Sequence, residues 1–157
     1  MDTISRFLRA DHHACDAAFG ATEAAAAAGR WEIAAARFTG FRDDLERHLG
    51  REERILFPRF EARTGQCTGP TQVMRAEHEQ MRTLVSLLER MVQARRREAF
   101  LNHADTLFTL IQQHNLKEEQ VLHPTADQVL EDERITLLAS MQQFPEHGSA
   151  AVAAGGQ

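Results

Sequence analysis

The chain has 157 residues, 43% of them apolar and 26% charged, which fits one globular domain able to bury its own core. Its net charge of −5, with histidines neutral, speaks against nucleic acid or an anionic membrane as partner, since both need a basic surface. Cys15 and Cys67 are too few for a disulfide framework, no basic start with an apolar leader is visible, and no apolar run approaches a membrane span, so a reducing, cytoplasmic setting is expected.

Helix formers dominate, Tyr is absent, and apolar residues recur with a period near 3.6. This periodicity predicts helices over about 3–28, 31–63 (disturbed at Pro58), 70–95, 98–123 and 126–143. Gly29, the Gln66–Pro70 stretch, a charged turn at Arg95-Arg96-Arg97-Glu98 and a break at Pro124 separate them. Four helices of ~25 residues, ~38 Å long, joined by short turns give an all-α, up-down four-helix bundle over 1–144. The fifth, shorter helix is expected to cover one end or edge, and 145–157 to be a flexible tail. Gly50, between His48 and Glu52, costs ~1 kcal/mol against Ala inside a helix. It either permits a close approach near a site or is simply tolerated.

Two segments recur at an offset of 66 residues: RADH at 9–12 with RAEH at 75–78, and HLGREERILFP at 48–58 with HNLKEEQVLHP at 114–124. The eight identities include His12/His78, His48/His114, Glu52/Glu118 and Glu53/Glu119, residue types that packing alone needs least. Placed on helix faces, Leu8, His12, Cys15 and Phe19 form one inward seam. Leu45, His48, Glu52 and Leu56 form a second, Met74, His78, Met81 and Val85 a third, and Ile111, His114, Glu118 and Leu122 a fourth. Each seam is apolar except at one level. Residues four apart lie only ~40° apart around a helix, so His48 with Glu52, and His114 with Glu118, aim at one point. Burying such groups unpaired costs several kcal/mol each, so they pair or bind something. A purely structural His/Glu network would be an expensive way to build a core.

Imidazole and carboxylate without thiolate suit iron, manganese or zinc, and four histidines with two carboxylates exceed one tetrahedral zinc site. Two metals fit. The internal symmetry assigns His12 and His48 to one and His78 and His114 to the other, with Glu52 and Glu118 bridging. Two imidazoles, two carboxylate oxygens and a solvent bridge then leave room at each metal for a small ligand.

The motifs DH at Asp11-His12, H-x-x-x-E-E-x-x-L-F-P from His48, RAEHE around His78 and H-x-x-x-E-E-x-x-L-H-P from His114 occur in order and in register. In these, over about residues 1–125, the chain resembles the hemerythrin-like HHE cation-binding family. The resemblance implies an up-down four-helix bundle holding two non-haem iron ions, carboxylate-bridged with an oxo or hydroxo bridge; zinc or manganese stay open. It implies His12, His48, Glu52, His78, His114 and Glu118 as ligands. The oxygen-carrier branch has H-x-x-x-H on its third helix and H-x-x-x-x-D on its fourth, whereas Arg82 and Glu119 stand at those positions here. The chain therefore resembles the four-histidine, two-glutamate branch, which includes bacterial iron-centre repair proteins and eukaryotic iron-sensing domains. Reversible O2 carriage does not follow from that branch. Its repair proteins also carry an N-terminal cysteine-containing domain that has no counterpart in this sequence.

The expected function is to bind or sense a small ligand, namely O2, nitric oxide, peroxide or iron itself, with an unidentified protein partner if it signals. The alternatives are a di-iron oxidoreductase or a protein donating iron to damaged iron centres. No dedicated proton donor or substrate pocket is visible, which puts an enzymatic role second. His13 lies ~100° round the helix from His12 and matches Glu79 in the repeat, so His12 is the expected ligand. Glu53 and Glu119, ~140° from their histidines, are expected to be solvated or to orient an imidazole. His103 and His147 are expected at the surface; His123, which replaces Phe57 of the first repeat, is expected to be a bystander, with a site near the bundle end as its alternative. Cys15 is expected in the core, with a redox-sensing thiol as its alternative, and Trp31 at the bundle end.

Overall fold

The computed structural model describes residues 2–145, and among these every regular element is helical. Thr3 caps the first helix, α1 (Ile4–Ala27), by accepting the Arg6 amide at 3.0 Å. The chain reverses through Ala28 to Arg30. The Gly29 amide bonds the Ala26 carbonyl and the Arg30 amide the Ala25 carbonyl, a Schellman turn with Gly29 at φ 71°. The equivalent reversal in the second repeat, 66 residues on, uses the same two bonds, from Arg95 to Val92 and from Arg96 to Met91. There the left-handed position (φ 54°) is held by Arg95, without glycine's freedom.

After the first reversal come α2 (Trp31–Arg51), a five-residue turn with i to i+5 bonding (Glu52–Leu56) and α3 (Phe57–Thr64). Next are α4 (Pro70–Gln93), α5 (Arg97–Lys117), a second such wide turn (Glu118–Leu122) and α6 (His123–Val129). A short 3-10 turn, Glu131–Glu133, leads into α7 (Arg134–Gln143). Each wide turn stands just ahead of a proline, Pro58 or Pro124. Proline has no amide hydrogen and its ring collides with the carbonyl four residues back, so the backbone widens there. In the first copy the freed Glu53 carbonyl accepts Arg75 at 3.3 Å.

These turns correct the expected elements. The segment expected as one helix over 31–63 is three pieces. Pro124 does not break the chain; the helical path runs on to Val129, and the helix expected over 126–143 is split by the 3-10 turn. The tail from 146 onward, with His147, lies outside the described residues.

α1 packs along α2, α4 along α5, and contacts of α1 with α5 and of α2 with α4 close the ring. Buried apolar residues form two clusters. One gathers Phe19, Phe38, Phe41, Leu88, Phe100 and Leu107; Trp31 packs against its edge. The other gathers Ile4, Leu8, Leu56, Phe57, Leu122 and residues of α7 such as Met141. The polar level of the four seams lies between them. Gly50 does serve a close approach: a Cβ there would stand 2.6 Å from the Phe144 ring, so the chain after α7 lies directly on α2.

Candidate metal centre

The four seam histidines and the two glutamates meet at that level. Glu52, Glu118 and His78 have no solvent-exposed surface, and His12, His48 and His114 are buried. Two four-residue groups have donor atoms within 4.8 Å of one another: His12, His48, Glu52 and Glu118, and Glu52, His78, His114 and Glu118. The groups share both glutamates and divide the histidines between the two halves of the chain. Every one of the four imidazoles presents Nε2 inward. The Nε2 atoms of His78 and His114 face each other at 3.3 Å, and those of His12 and His114 stand 3.3 and 3.1 Å from Glu118 Oε1. Glu52 reaches both groups, with Oε1 3.6 Å from His48 and Oε2 3.1 Å from His78.

The outer nitrogens carry the design further. Each Nδ1 faces a carboxylate: His12 to Glu119 at 2.8 Å, His48 to Asp11 at 3.1 Å, His78 to Glu53 at 2.7 Å and His114 to Glu77 at 2.8 Å. These partners obey the same repeat, Asp11 with Glu77 and Glu53 with Glu119. They also run one way round the bundle, from α1 to the histidine of α2, from the turn after α2 to that of α4, from α4 to that of α5, and from the turn after α5 to that of α1. Each consecutive Glu-Glu pair thus faces both nitrogens of one imidazole on a neighbouring helix. Behind the carboxylates stand cations: Arg51 on Asp11 at 2.7 Å, Lys117 on Glu77, Arg82 on Glu53 at 3.0 Å and Arg9 on Glu119 at 3.5 Å. Arg82 stands where the oxygen-carrier branch has its extra histidine, and here it holds an orienting carboxylate.

A profile of the Hemerythrin HHE cation binding domain matches residues 3–126, most of the described chain. The chain belongs to this family. Curated relatives of the hemerythrin-like domain include the iron-sulfur cluster repair proteins YtfE of Salmonella paratyphi B, Salmonella newport and Salmonella gallinarum. Each is 30% identical over 97 residues, covering 56% of this chain and 44% of the relative. The match thus spans less than half the length of these relatives. No solved structure matches significantly.

The donor set of the hemerythrin-like domain suits a cation. His12 Nε2, His48 Nε2, Glu52 Oε2 and both Glu118 oxygens are buried without a hydrogen-bond partner. Several lie close to an opposite group, as His12 Nε2 does to Glu118 at 3.3 Å, yet off the direction a hydrogen bond requires. Groups held near one another but aimed past one another need a shared acceptor of their lone pairs. The titration behaviour says the same. Burial and each other's charge push Glu52 upward, but the surrounding imidazoles outweigh this and lower it. Glu118 falls well below the usual carboxylate range because His114, His12 and His123 outweigh its burial. Burial pulls His78 down, yet Glu52 and Glu53 raise it to about 9. The core attracts positive charge, which a divalent ion would supply.

The expected bystanders divide. His13 is exposed and His103 half-buried, both apart from the centre. Cys15 is buried, with its thiol pushed to about 12 chiefly by desolvation, so it is a core residue and gives the redox-thiol reading no support. His123 is the correction. It has no exposed surface, and its Nε2 lies 2.9 Å from Glu52 Oε1 and 3.4 Å from Glu118 Oε2. In a regular helix a residue five past Glu118 would point ~140° away. The wide turn holds one extra residue, so i+5 takes the place of i+4 and His123 swings inward. Asp11 and Glu77 also escaped sequence reasoning, although each is an acid directly before a repeat histidine at the common offset.

Proposed function

We propose that this domain is an up-down four-helix bundle that holds two iron ions and binds or senses a small ligand: O2, nitric oxide, peroxide or iron itself. His12 and His48 would hold one ion, His78 and His114 the other, with Glu52 and Glu118 shared between them. The observation that carries the reading is the pair of buried four-residue groups overlapping at both glutamates. Iron there supplies a redox-active cation with a position open to a small ligand. The chain's own residues do the rest. Asp11, Glu53, Glu77 and Glu119 accept from Nδ1 and so turn each Nε2 lone pair inward. The two apolar clusters exclude water from above and below.

A second reading, donation of iron to damaged iron centres, is favoured by the similarity to the repair proteins. A di-iron oxidoreductase is the third, ranked below ligand binding. Among the described residues no helix is long and apolar enough to cross a membrane. Metal analysis with visible spectra of anaerobic protein, before and after air, tests the proposal. Two irons per chain and a visible band that appears with air support it. One metal per chain, or zinc in a protein that stays colourless when loaded with iron, overturns it. Iron released to a cluster-free acceptor protein selects the repair reading.

A further inference from the structure

Among the side chains that face the two shared glutamates, the repeat is kept at every position but one. Position 57 is Phe and position 123, its repeat counterpart, is His. The two rings are placed alike: Phe57 stacks on His78 and His123 on His12, each at a centroid distance of 5.8 Å. Both are fully buried. They differ in chemistry. Phe57 offers no donor atom, whereas His123 Nε2 is hydrogen-bonded to Glu52 Oε1 at 2.9 Å and lies 3.4 Å from Glu118 Oε2, on the two carboxylates common to both groups. His123 Nδ1 is buried without a hydrogen-bond partner. A histidine kept here for packing alone would cost free energy that a phenylalanine, present in the other copy, avoids.

We propose that His123 is a fifth imidazole ligand at the His12/His48 end of the centre. This rests on the di-iron reading above. Two imidazoles, two carboxylate oxygens and a solvent bridge give five ligands per ion. His123 completes a sixth at its own end and leaves the position beside Phe57, at the His78/His114 end, for the exogenous ligand. Unlike the other four imidazoles, His123 has no carboxylate at its outer nitrogen, so its ring is the weaker donor and the more readily displaced.

Mössbauer spectroscopy of anaerobic, 57Fe(II)-loaded protein reads the symmetry directly. The unaltered chain should show two quadrupole doublets of equal area. His123→Phe, which copies the first repeat, should merge them into one, and Phe57→His, which copies the second, should do the same from the opposite direction. One doublet in the unaltered chain, or two that persist through either folded variant, overturns the inference. Iron content separates the two levels of failure. Two irons per chain with doublets indifferent to residue 123 overturns only the role of His123, whereas fewer than two overturns the di-iron reading and this inference with it.

Discussion

Removing one orienting carboxylate tests whether the ring around the histidines serves metal binding. Glu53 Oε1 lies 2.7 Å from His78 Nδ1, and Arg82 meets both Glu53 oxygens, at 3.0 and 3.1 Å. Glu53→Gln keeps an acceptor for the imidazole but loses the charge that raises its basicity, and presents an amide to the guanidinium. Loss of such a partner costs about 10–100-fold in metal affinity, equivalent to ~1.4–2.7 kcal/mol. Glu119 is held less firmly: its partner Arg9 is 54% exposed and 3.5 Å away. Its orienting effect is the weaker one, so Glu119→Gln should lose about 10-fold and Glu53→Gln nearer 100-fold. Anaerobic competition with a chromogenic chelator measures both. The rise in melting temperature on iron loading should shrink in the same order, since only the folded state binds. Unchanged affinity in Glu53→Gln, or a larger loss in Glu119→Gln, would refute the idea that these carboxylates act through the imidazoles.

Glu52→Ala and Glu118→Ala should each lose most bound iron by metal analysis, because both groups use each glutamate, while His13→Ala keeps it. Pro58→Ala or Pro124→Ala lets a wide turn relax toward regular helix and carry its Glu-Glu pair out of register; iron affinity should fall about 10-fold in chelator competition although neither proline is part of a donor group. Arg95→Gly relieves a left-handed residue, and denaturant titration should show a gain of about 0.5–1 kcal/mol. Under native conditions a thiol reagent should label the exposed Cys67 and spare Cys15, whose thiol sits at about 12, with both reacting in denaturant.

The long helices and the six seam residues were legible because both rest on one period. Leu8, His12 and Cys15 keep their face as long as the helix is regular, and the 66-residue offset distinguishes His12 from His13 without any structure. Legibility stops where the period does. Beyond Glu52 and Glu118 the wide turns add a residue, so faces assigned at 3.6 residues per turn misplace the side chains past them. A regular period does not bring His123 to the glutamates, and it ends at 123 a helical path that the structure carries on to Val129. Asp11 and Glu77 were missed on other grounds. Their chemistry becomes visible only once neighbouring helices are set side by side, since each serves a histidine of another helix.

The same wide turns explain why the repeat keeps two glutamates in a row. On a regular helix consecutive residues diverge by ~100°, and one of a Glu-Glu pair would face solvent. A turn with more residues per revolution narrows that angle. Glu52 can then approach Nε2 of His78 at 3.1 Å while Glu53 approaches Nδ1 of the same ring at 2.7 Å. Glu118 and Glu119 do likewise for His12, at 3.3 and 2.8 Å. One carboxylate is thus left to share a cation with the imidazole whose orientation the other fixes. The proline that forces the turn, the doubled glutamate and the histidine on the facing helix form one device, repeated twice. The device needs no particular residue at the position after its turn. That freedom is what allows phenylalanine in one copy and histidine in the other, at residues 57 and 123.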